Sequence, residues 1–98
     1  MDYWLQCNVS RGQFAEEYVV ELRDFQNRLC SLFVPSEYVE AESDPTPGDT
    51  CKGWLQVEHL ERKGDLVLVR LPTTPLENGP TATVKVNQLK RRHAAEPA

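Results

Sequence analysis

Few residues in this chain have the type and spacing for chemistry, and His59 is the first of them. Glu58 precedes it and Glu61 follows it. In a strand, alternation sets His59 and Glu61 on one side, and a carboxylate beside an imidazole is the arrangement of a general base. A small enzyme built on this chain would depend on His59. The wider signatures of catalysis are absent. There is no Gly-rich phosphate loop, no Gly-x-Ser-x-Gly elbow and no His-Glu-x-x-His. The thiols are Cys7, Cys30 and Cys51, and none forms a Cys-x-x-Cys pair. With His59 and His93 the only histidines, a four-ligand zinc site would need single residues from scattered places, so no metal and no cofactor is expected. Cys7 and Cys30 lie in strand-like runs and read as small buried hydrophobes, whereas Cys51 lies in a polar stretch and reads as an exposed thiol.

Aromatic residues offer a different chemistry. Trp4 is out of phase with the apolar set Tyr3, Leu5, Cys7 and Val9, and Trp54 is out of phase with Leu55 and Val57. Both indoles are therefore candidates for the surface. Phe25 sits in a turn, and Tyr38 follows Pro35 in a stretch that carries Glu40 and Glu42. Exposed aromatics beside acids suit proline-rich or cationic peptides, through stacking and cation–π contacts. The function expected is a non-catalytic domain that binds protein or peptide through an aromatic and acidic face.

The alternative uses the same aromatics to stack nucleic-acid bases, with Lys90, Arg91 and Arg92 supplying the charge. Against it stands the charge balance. The net charge is −4, and residues 1–89 carry 8 Lys/Arg against 14 Asp/Glu. An acidic body repels phosphate backbones, and a nucleic-acid binder shows a basic patch or stripe. A nucleic-acid partner is thus not favoured.

The elements that must hold these residues are strands. Tyr3, Leu5, Cys7 and Val9 alternate with polar residues, and Tyr18, Val20 and Leu22 repeat the pattern. Asp24 to Asn27 has the composition of a tight turn, so residues 14–34 read as a hairpin closed by Pro35. Residues 36–52 form an acidic loop, with room for one helical or 3₁₀ turn over Ser36-Glu37-Tyr38-Val39 after Pro35, and with five acids and no base from Ser36 to Thr50. Trp54 to Leu60 is a strand, Gly64 lies in the following turn, and Leu66 to Leu71 is apolar on both faces, as in a central strand. Val67, Leu68 and Val69 should be deeply buried. Thr81 to Val86 is the last strand and a plausible edge through which two copies pair as a homodimer.

About six short antiparallel strands in one all-β domain of residues 1–89, followed by a disordered basic tail at 90–98, predict a small barrel. An SH3-like barrel is preferred to an OB-like one because no amphipathic helix is available to insert between strands. The hairpins at 14–34 and 54–71 are similar in length, but no internal repeat is expected. No apolar run approaches the roughly 18–20 residues of a membrane span. The N-terminal Met1-Asp2-Tyr3-Trp4 has an acid where a secretory signal needs a basic region, so a cytoplasmic address is expected.

Overall fold

The structure is a computed structural model that describes residues 3–43, 45–46, 48–75 and 79–91. Eight strands form one antiparallel sheet: β1 (Tyr3–Arg11), β2 (Glu17–Arg23), β3 (Leu29–Pro35), β4 (Val39–Ala41), β5 (Thr50–Lys63), β6 (Leu66–Arg70), β7 (Thr81–Lys85) and β8 (Leu89–Arg91). The main path runs β3-β2-β1-β5-β6-β7, with β4 paired to β5 and β8 paired to β1. The sheet curls into a half-barrel, and the chain is an all-β small domain. Two 3₁₀ turns, Ser36–Tyr38 and Val86–Gln88, lead into the short strands β4 and β8. Among the described residues no helix is long and apolar enough to cross a membrane.

Period-two alternation produces the core directly. Leu5, Cys7 and Val9 of β1 point inward, as do Val20 and Leu22 of β2, Leu32 and Val34 of β3, and Leu55 and Val57 of β5. Val67, Val69 and Val84 close it from the other side. The expectation for Leu68 is corrected: it is only half-buried, because alternation in β6 turns it to the face opposite Val67 and Val69.

The β2–β3 turn is built by Asp24. Its Oδ1 accepts from the main-chain N–H groups of Gln26 (2.9 Å) and Arg28 (2.8 Å), and its Oδ2 accepts from Arg28 Nε (2.9 Å). Asn27 completes the turn in the left-handed region, at φ 64°, which asparagine tolerates better than most residues.

Two boundaries differ from the sequence expectation. The segment expected as a loop at 36–52 holds its expected single turn, as a 3₁₀ turn at Ser36–Tyr38, but also contains β4, and β5 already begins at Thr50. Cys51 therefore belongs to a strand and is half-buried. At the other end, Lys90 and Arg91 are not tail: they pair with Trp4 and Tyr3 as part of β8. Cross-strand hydrogen bonding, which no local pattern reveals, recruits both short segments.

The pairing register shows an internal two-fold repeat, contrary to expectation. Val39, Glu40 and Ala41 of β4 pair with Leu55, Trp54 and Gly53 of β5. Fifty residues on, Leu89, Lys90 and Arg91 of β8 pair with Leu5, Trp4 and Tyr3 of β1. The same shift relates Trp4-Leu5-Gln6 to Trp54-Leu55-Gln56, an identical tripeptide. β1 and β5 pair with each other through Leu5 opposite Leu55, so the pseudo-axis passes through that pair. The outer strands follow with one residue fewer in the second half, β6 lying 49 residues after β2 while β7 keeps the fifty-residue shift from β3. Val9 opposite Val20 is matched by His59 opposite Val69, and Asn8 opposite Glu21 by Glu58 opposite Arg70. Even the loops obey it: Ser36 N–H donates to the Glu16 carbonyl and Val86 N–H to the Asp65 carbonyl, each at 2.8 Å.

Each half also caps the far edge of the other. The Phe25 N–H donates to the Thr83 carbonyl of β7 at 2.9 Å. The Thr73 hydroxyl donates to the Phe33 carbonyl of β3 at 2.8 Å. Exposed edges are where sheets aggregate, and these contacts occupy the equivalent carbonyl on both.

Candidate binding face

β1 and β5 run side by side at the centre, with β8 beyond β1 and β4 beyond β5. Side chains facing away from the core on these four strands fall into two rows. One row is Glu40, Trp54 and Gln6, and the other is Gln56, Trp4 and Lys90. Trp4 and Trp54 are thus diagonal neighbours, at roughly 7–8 Å by the geometry of antiparallel pairs. Both are half-exposed, and neither belongs to the core or to the partly buried residues packed on it. Their out-of-phase position in the sequence is the reason.

The two rows are related by the pseudo-axis except at their ends, where Glu40 and Lys90 occupy equivalent positions with opposite charge. The Lys90 ammonium lies 4.3 Å from the centroid of the Trp54 ring. A cation at that range over an indole is a cation–π contact. An open groove of about 320 Å³ adjoins the face where β2 and β8 part company along β1, with Gln6, Asn8, Glu21, Arg23 and Lys52 in its lining. It holds both signs of charge.

The other expected residues are dispersed. Tyr38 packs against the core from the 3₁₀ turn. Phe25 is half-buried in the β2–β3 turn and lines a groove with Leu68 and Thr83 that includes neither tryptophan. Glu42 lies just past β4, its N–H donating to the Lys52 carbonyl at 3.0 Å and its side chain exposed. Arg92 lies outside the described residues.

The basis for a His59–Glu61 pair is corrected. A β-bulge falls between the two residues: His59 pairs with Val69, but Glu61 pairs with Leu68. A bulge inserts one extra residue and breaks the alternation on which a shared side rested. His59 instead lies against Tyr3, with ring centroids 5.3 Å apart and tilted by 32°. The thiols divide as their exposure dictates. Cys7 is buried, and burial pushes its thiol up to about 12, with Cys51 adding to the shift, so it stays protonated and unreactive. Cys51 Sγ donates to the Ser43 carbonyl at 3.3 Å.

Sequence reasoning missed Gln6, Gln56 and Lys90 as members of this face. The signal was present in the repeated Trp-Leu-Gln, which places identical residues on the outer rows of both central strands. No protein-family model matches the chain, and neither a curated protein nor a solved structure matches it.

Proposed function

We propose that the chain is a non-catalytic domain that binds a protein or peptide through the outer face of β4, β5, β1 and β8. The observation that carries this reading is the pair of half-exposed tryptophans standing outside the core on adjacent central strands. Large aromatics on a rigid sheet lose little conformational freedom when covered, which is why they dominate binding hot spots. Flat indole faces flanked by Glu40 suit a proline-rich or cationic segment. The engagement of Trp54 by the chain's own Lys90 supports the cationic option, since the ring already accepts an ammonium.

A peptide library scored by quenching of tryptophan fluorescence tests the reading. Trp4→Ala and Trp54→Ala should each weaken the selected peptide at least about tenfold, or roughly 1.4 kcal/mol. Removal of residues 92–98 should leave the affinity unchanged. Full binding by both alanine variants would sink the proposal. Loss of binding on removal of 92–98, with steep salt dependence, would transfer the function to the basic end.

A further inference from the structure

The geometry points to an oxyanion site, for a phosphate monoester, in the cavity between β1, β5, β6 and β8. It is separate from the tryptophan face. The cavity has a volume of about 120 Å³ and is lined by Tyr3, His59, Arg62 and Arg91, with Lys90 alongside and Val67, Val86 and Leu89 as its apolar wall. Among the described residues its lining holds no acid, although acids outnumber bases in the chain by 15 to 11. Among the described residues, none of Arg62, Lys90 and Arg91 forms an ion pair with a carboxylate.

Both arginines have room to act. Arg62 spends its Nε on the Gly64 carbonyl at 2.9 Å, which fixes the side chain and leaves its terminal nitrogens for another acceptor. The Arg91 guanidinium lies 5.8 Å from the Tyr3 ring centroid, so the aromatic ring holds it in place. Lys90 borders the cavity next to Arg91 but directs its ammonium over Trp54 on the opposite face, so the charge of the site comes from the two arginines. A phosphate monoester brings a charge of about −1.5 to −2 and three acceptor oxygens, a better match to two guanidiniums than a single carboxylate.

The internal repeat supplies the control. At the equivalent place in the other half, Gly53 stands for Tyr3, Val9 for His59, Glu40 for Lys90 and Ala41 for Arg91. A side chain on Gly53 would meet Val9 at 2.7 Å and the Glu40 carbonyl at 2.9 Å, and Val9 is fully buried, so that corner is closed. The fold is therefore satisfied by Gly, Val, Glu and Ala. Tyr3, His59 and Arg91 are not what the backbone demands, and together with Arg62 they open a cavity and supply it with two guanidiniums.

The test is a titration of the full chain with phenyl phosphate, inorganic phosphate and acetate, followed by amide chemical shifts. Saturable shifts at Tyr3, His59 and Arg91, stronger for either phosphate than for acetate, are expected. Saturation by inorganic phosphate alone would mean the group is recognised free, and stronger binding of phenyl phosphate would mean that Tyr3 reads its ring. Arg91→Ala installs what the repeat already tolerates at Ala41, so the thermal midpoint should hold while affinity falls at least tenfold. Arg62→Gln should do the same, and Lys63→Gln should not. The site is refuted by no saturation below about 10 mM. It is equally refuted by an equal loss in the Lys63 variant, or by an RNA oligomer binding where the small phosphates do not.

Discussion

At the scale of single residues, Asp24 does the most with one side chain. It is the buried carboxylate of the β2–β3 turn, and burial alone would raise its carboxyl. Hydrogen bonds from the Arg28 N–H, the Arg28 guanidinium and the Gln26 N–H, with the Arg28 charge, outweigh that and hold it below the usual value. Because the folded pKa lies below the unfolded one, this stabilisation is complete above about pH 4 and is lost as pH falls through the folded value. Asp24→Asn should therefore cost on the order of 1–2 kcal/mol at pH 7 and flatten the acid limb of the stability curve. Urea midpoints at pH 7, 4 and 2.5 check this. An unchanged acid limb in the variant would mean that Asp24 is not what couples the turn to pH. Glycine at position 53 is a second single-residue requirement, since the β4 backbone passes where a Cβ would stand.

At the scale of elements, β6 separates what alternation can decide from what it cannot. Val69 is fully buried and Leu68 is not. Val69→Asp should abolish the cooperative unfolding transition, because an unpaired buried charge costs several kcal/mol against a total stability of about 5–15 kcal/mol. Leu68→Asp, one residue away on the other face, should leave a native spectrum. If circular dichroism melts ranked the two the other way, the orientation of β6 would be reversed. The strands around Tyr3, Val20, Leu32, Val67 and Val84 were legible from their period, and so was the all-β class. The short strands β4 and β8 were not, because three residues carry no periodic signal and exist only through their long-range partners. The bulge after His59 was likewise invisible, and with it went the inferred partner of that histidine. Of the candidate site, the two tryptophans were readable from their phase, whereas Lys90 came into the face only through the β8 pairing.

At the scale of the whole molecule, the two-fold organisation turns one half into a reference for the other. Positions where the halves agree, such as Leu5 with Leu55 and Val34 with Val84, report what the fold needs. Positions where they disagree, such as Glu40 with Lys90, report what has been added to it. It also makes two junctions equivalent. Ala41 reaches Gly53 through residues 42–52, and Arg91 stands beside Tyr3 in the same register with no segment joining them among the described residues. The strand circuit can thus be closed at the second junction and opened at the first. A circular permutant that starts at Gly48, ends at Pro47 and joins the original ends through a short Gly/Ser linker should keep the native spectrum and a single unfolding transition. Were that permutant to fold only as a dimer, the order in which the halves are synthesised, and not their pairing alone, would determine how they close.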